Sequence, residues 1–237
     1  MKHIKRFKLN DNLICIRFLD YKKEKFELEF NLEQGTSFNT FFATEDDCLV
    51  IIHPPEINNF DSFLKITNTY IDEFKPKNIN IITGHINPKI VKTLKEFKNY
   101  FNNLTLISSV PGKKLICELW EQKKPGEKDI LSVRLPKINL IKKEILIEFK
   151  NNIFKLIPAP TARWPGGLIV FERNAGYLFS EKLFSCHIAS EDWSETNRMS
   201  TESDRKHFYN CLMAPMSSQV TSLSEKVSEF DIKCIAP

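Results

Sequence analysis

Glycine is scarce in this chain, at 7 of 237 residues, and the scarcity excludes much. No phosphate-cradling loop and no G-x-G-x-x-G fingerprint can be assembled. H-E-x-x-H and a serine nucleophile elbow are also missing. No apolar run reaches the roughly 18 residues that a spanning helix needs, so no membrane contact is expected. The first eight residues alternate charged and apolar side chains, unlike a secretory signal. None of the six cysteines, Cys15, Cys48, Cys117, Cys186, Cys211 and Cys234, forms a C-x-x-C pair. A chain this long is no disulfide scaffold, and the default expectation is cytoplasmic, reduced, mostly buried thiols. The sequon Asn103-Leu104-Thr105 carries no weight without export.

The net charge is only +4, and the lysines sit singly or in pairs, as in Lys123-Lys124 and Lys142-Lys143. That is too weak and too scattered for a nucleic-acid partner. The apolar share of 42% and charged share of 27% describe a globular domain, and 19 phenylalanines make its core aromatic.

Short β-branched and aromatic runs predict strands at Leu13 to Leu19, Lys25 to Phe30, Ser37 to Ala43 and Cys48 to Ile52, separated by turn formers. Phe60, Phe63, Leu64, Ile71 and Phe74 share one face of a helix. After a buried strand at Asn78 to Ile82, a second helix opens at Pro88 with Asn87 as its cap. Its Ile90, Leu94, Phe97 and Phe101 keep the helical period, and Leu104 to Ser108 is the next strand. Hairpins follow about Asn151-Asn152 and Asn174-Ala175-Gly176. The stretch from Ser203 to Phe230 is helical and broken at Pro215. Strands then helices, twice, predict two packed sheets covered by helices on both outer faces. No composition break divides residues 1–237, so one domain is expected.

Three segments carry a resemblance. Gly35-Thr36-Ser37-Phe38-Asn39-Thr40-Phe41-Phe42 is similar to a "G-T-x-Y-N-S" strand. Ala159-Pro160-Thr161-Ala162-Arg163-Trp164-Pro165 is similar to an "H-W-P-D" segment, and Tyr177-Leu178-Phe179-Ser180-Glu181-Lys182-Leu183-Phe184 to "L-F-S-x-D-x-F-G-x-H". These are motifs of the flavodiiron (A-type flavoprotein) family, and the run Asp204 to Pro215 resembles its cyanobacterial diflavin branch. The resemblance implies an α+β fold, the αββα four-layer metallo-β-lactamase-like sandwich. It implies a di-iron centre that reduces oxygen or nitric oxide, fed by FMN on a separate flavodoxin-like domain that lies on the partner chain in the homodimers. Neither that domain nor a flavin reductase domain is expected within this sequence, which ends at Ala236-Pro237 where the family's last histidine would follow.

Carried over residue by residue, the ligand motif H-x-E-x-D-H falls on His85, Asn87, Lys89 and Ile90. The histidine before Trp-Pro is Arg163, and the bridging aspartate is Lys182. A protonated ammonium has no lone pair for a metal. Two cations 4 Å apart repel by about 4 kcal/mol at an effective dielectric of about 20. The expectation is therefore no metal and no cofactor held in this chain, although the family uses di-iron and FMN, and no catalysis by the chain alone. The role expected is that of a supporting subunit, a homo- or heterodimer with another flavodiiron chain; the alternative is a relic αββα binding domain with no redox role. His187 and Trp164 are candidate pocket-lining residues, with Trp164 a core anchor rather than a redox relay. His85 alone also fits a hydrogen-bonded structural histidine, and His53 a core role. The neighbours Cys186 and His187 face opposite ways on an extended chain, which argues against a thiolate and its base.

Overall fold

The computed structural model describes residues 3–26, 29–122, 133–194 and 201–237. The Lys123-Lys124 pair and the middle of the Lys25 to Phe30 run lie outside the described residues.

The first half forms β1 (His3–Lys8), β2 (Leu13–Asp20), the short β3 (Lys25–Phe26) and β4 (Glu29–Phe30), β5 (Thr36–Thr44), β6 (Cys48–Ile52), α1 (Phe60–Phe74), β7 (Asn78–Ile82), α2 (Pro88–Tyr100), β8 (Leu104–Ser109) and α3 (Val110–Glu121). The second half adds β9 (Lys137–Ile141), β10 (Ile145–Glu148), β11 (Ile153–Pro158), β12 (Leu168–Glu172), β13 (Tyr177–Phe179), α4 (Glu202–Phe208), α5 (Ser217–Ser228) and β14 (Cys234–Ala236).

Seven strands make one mixed sheet in the order β1-β2-β5-β6-β7-β8-β9, and five make a second in the order β10-β11-β12-β13-β14. The strands β6, β7, β8 and β9 run parallel, and their crossovers place α1, α2 and α3 on one outer face. Ile51, Ile81, Leu106, Phe63, Leu94, Phe97 and Ile116 fill that layer. Leu13, Phe41, Val50, Ile82, Phe154, Val170 and Phe179 fill the space between the sheets. Ile169, Phe171 and Leu178 on the far side of the second sheet meet Val220, Leu223 and Val227 of α5. The four layers are helix, sheet, sheet, helix, as the resemblance implies. Parallel strands are buried on both faces and read as continuous apolar runs, as in Cys48–Ile52.

Some expectations need correction. The Lys25 to Phe30 run is a two-stranded ribbon of its own, not one strand. The terminal strand β14 pairs in parallel with β13, a long-range contact that a three-residue run cannot announce. Among the cysteines only Cys15 is fully buried; the other five are half-buried.

Candidate functional site

The carboxyl ends of parallel strands are where an α/β sheet gathers functional side chains. Three stand here. His53 follows β6, with φ 56°, its backbone N–H donating to Ile82 at 2.9 Å and its ring Nε2 3.2 Å from the Leu168 carbonyl. Burial lowers its pKa, so it is held neutral. Thr83, Gly84 and His85 follow β7. Ser109 ends β8 and caps α3 by accepting the Gly112 N–H at 3.1 Å.

His85 is buried, and its ring Nδ1 is paired with a carboxylate that the ligand motifs do not include, that of Glu181. Glu181 also accepts the His85 backbone N–H at 2.8 Å. It follows β13 with φ 54°. Its carboxylate fills the space where a Cβ on Gly84 would lie, 2.4 Å from that position, which is why residue 84 has no side chain. Burial alone would push the Glu181 carboxyl up; the charge and hydrogen bond of His85, with His53 and Lys182, outweigh it and hold the carboxyl well below the usual range.

The remaining motif positions divide. Asn87 caps α2, its Oδ1 accepting the Ile90 N–H at 2.9 Å, while its amide lies 3.3 Å from His85 Nε2 and 3.0 Å from Glu56. Lys89 turns outward to Glu56 at 3.2 Å, so it does not enter the cavity as expected. Ile90 packs in the outer hydrophobic layer beneath α2. Lys182 does stand at the pocket, its ammonium 4.5 Å from the Phe26 ring centroid and 6.0 Å from that of Trp164. The Arg163 guanidinium lies over the same indole at 5.6 Å. Trp164 is buried among Phe208, Leu212, Met213 and Met216, the anchor expected of it. Trp164, Glu181 and Lys182 line a cavity of about 30 Å³, room for about one water.

His187 belongs to a neighbouring cluster. Its Nδ1 is 2.6 Å from the Thr36 hydroxyl and its ring lies tilted against Phe26, the centroids 4.3 Å apart. Its Nε2 stands 3.1 Å from the buried Glu29 carboxylate, out of line for a hydrogen bond. Sequence reasoning missed both Glu181 and Glu29. Glu181 had a signal, an acid displaced by one position from the motif's aspartate; Glu29 had none.

The implied irons can be tested against this donor set. The imidazole Nδ1 of His85 is committed to Glu181, Asn87 serves a helix cap, Ile90 has no donor atom, and Arg163 and Lys182 carry no lone pair while protonated. Among the described residues no group of three or more histidine, cysteine, aspartate or glutamate side chains converges to hold a metal. The residues at these positions do not fit a di-iron centre, and no chemical step is derived through one.

The comparisons with known proteins bear on family and fold. A family model described as "ODP family beta lactamase" matches residues 36–237. A putative diflavin flavoprotein A 5 from Nostoc sp. is 29% identical over 231 residues, covering 95% of this chain and 37% of the relative. A putative diflavin flavoprotein A 4 from Synechocystis sp. is 26% identical, covering 90% and 34%. The chain thus spans little more than a third of the length of the relatives it matches. Among solved structures, a metal-soaked flavodiiron core from Synechocystis sp. superposes with a TM-score of 0.87 at 23% identity, over 100% of this chain and 56% of that one. A fragment of the Nostoc diflavin flavoprotein A 5 does so at 0.83 and 24%, over 98% and 86%. These findings overturn the expectation that this chain holds no cofactor, because its relatives are named diflavin flavoproteins and its structural neighbours flavodiiron cores. With the four-layer fold, the ordered motifs and a match covering most of its length, the chain belongs to the family described as ODP family beta lactamase, and its fold is that of the flavodiiron cores.

Proposed function

We propose that this domain is a supporting subunit of a flavodiiron electron-transfer system that reduces oxygen or nitric oxide in the cytoplasm, and that it pairs with another flavodiiron chain. The observation that carries the reading is the buried His85–Glu181 pair beside Lys182, where the motif alignment puts the family's ligands. Protein charges fixed by one another fill the pocket, and the fold around it is kept. Such a chain contributes scaffold and interface while the partner carries out the reduction, which fits the cross-chain electron path that the resemblance implies. No helix among the described residues is long and apolar enough to cross a membrane. No observation favours the alternative of a relic domain without a redox role.

Oxygen-electrode assays test this directly. The complete protein containing this domain should consume no oxygen with reductant when alone. It should raise the turnover of a catalytically complete flavodiiron chain when the two are co-purified. Turnover by the chain alone, or no effect on any complete partner, overturns the reading.

A further inference from the structure

The helix α4 ends at Phe208 and continues as a π turn over Tyr209–Met213, a local widening often found at functional sites. The Cys211 sulfur lies on this turn, 3.7 Å from Nδ1 of His207. The other nitrogen of the same ring, Nε2, stands 3.9 Å from Glu29. The two partners differ in exposure. Glu29 is only 1% exposed, with its second oxygen lacking a hydrogen-bond partner among the described residues, while the His207 side chain is 41% exposed. Cys211 is half-buried beside the exposed Tyr209 and Asn210. A thiol on one ring nitrogen and a carboxylate facing the other is the arrangement of a base-assisted nucleophile with an orienting acid.

Burial sets most of the other thiols apart. Burial pushes Cys15 up to about 12 and Cys186 up to about 11, and it raises Cys48 and Cys234. Such thiols are poor nucleophiles, because the thiolate is the reacting form. Cys117, on α3, is half-buried like Cys211.

We propose that Cys211 is a peroxide-reactive thiol, with His207 as its proton acceptor and Glu29 as the residue that positions the imidazole. The thiol proton passes to His207 Nδ1, and the sulfur attacks one oxygen of hydrogen peroxide. An S–O bond forms as the O–O bond breaks. The departing hydroxide takes the proton from the imidazolium and leaves as water, so the sulfur is oxidised to a sulfenic acid and the peroxide is reduced. The site adjoins the cavity beside Glu181 and Lys182, since Met213 of the same turn lines it, and it does not depend on the supporting role proposed above.

The test labels the folded full chain with iodoacetamide at pH 8 and, in parallel, with hydrogen peroxide followed by dimedone, reading each cysteine by mass spectrometry. Cys211 should react roughly tenfold or more faster than Cys117, in line with the contribution of a positioned base. His207→Gln should remove that advantage while the Cys117 rate stays put, and Glu29→Gln should reduce it in part. Cys15 reports folding, since it is labelled only if the chain opens. Should His207→Gln unfold the chain, the pH–rate profile of the unaltered protein decides: Cys211 should show an inflection that Cys117 lacks. Equal rates at Cys211 and Cys117, an unchanged Cys211 rate in folded His207→Gln, or matching pH profiles would overturn the proposal.

Discussion

Glu181 holds His85 twice, through the backbone N–H at 2.8 Å and through the imidazole Nδ1. Both groups are buried, so the pair's attraction is set against the desolvation of two charges, and removing one partner strands the other. Glu181→Gln should cost about 3 kcal/mol of unfolding free energy in urea. The sign of the pH dependence follows from the depressed Glu181 carboxyl. Its contribution is complete above the ordinary carboxylate value and is lost as pH falls toward the folded value. The unaltered chain should therefore lose stability more steeply below about pH 5 than Glu181→Gln. Parallel curves would show that the pair contributes nothing.

Gly84 is part of the same lock. A Cβ there would lie 2.4 Å from one Glu181 oxygen and 2.6 Å from its carboxyl carbon. Gly84→Ala should cost about 1–3 kcal/mol through overpacking. In a Glu181→Ala background the obstruction is gone, and the same change should cost at least about 1 kcal/mol less. A double-mutant cycle measured by urea unfolding gives the coupling, and strict additivity would mean that the clash is relieved elsewhere.

Much of this was legible beforehand because local physics determined it. The parallel strands Cys48–Ile52 and Asn78–Ile82 are continuous apolar runs, and Asn87 before Pro88 marks a helix start that the structure confirms. What escaped was non-local. The helix Val110–Glu121 carries a proline and a glycine in its first turn, where both are tolerated, and no helix was expected there. Glu181 meets His85 across 96 residues and Glu29 meets His187 across 158, separations that no periodicity encodes. The motif alignment found the pocket through His85 and Lys182, but it assigned Lys89 and Ile90 to a cavity that they do not enter.

The Asn87 cap offers a direct test of one local signal. Its Oδ1 receives the Ile90 N–H at 2.9 Å while its amide donates to Glu56 at 3.0 Å. Asn87→Ala should cost about 1 kcal/mol in thermal or urea unfolding. Asn87→Asp keeps the acceptor and suits the positive helix end, but it places a second carboxylate beside Glu56, so its cost should fall between zero and that of alanine. An aspartate variant less stable than alanine would show that the Glu56 contact outweighs the cap.

Glu29 and His187 make opposite demands on protons. Burial pushes the Glu29 carboxyl up to about 7 and the His187 imidazole down to about 3. A raised acid favours the folded state at low pH, and that advantage is lost as pH climbs from the ordinary carboxylate range to about 7. A depressed imidazole does the reverse, costing stability as pH falls from the ordinary histidine value toward about 3. Between about pH 4.5 and 6.5 unfolding releases one proton from Glu29 and takes one up on His187, so the two slopes cancel. Glu29→Gln removes one side of the balance. Its unfolding free energy should rise with pH across that window by up to about 1.4 kcal/mol per unit, where the unaltered chain stays nearly flat. Above pH 7 the variant should be the more stable of the two, because it no longer buries an ionised carboxylate. Urea unfolding from pH 4 to 8 measures both features, and identical profiles for the two proteins would mean that the buried carboxyl titrates as it does in water.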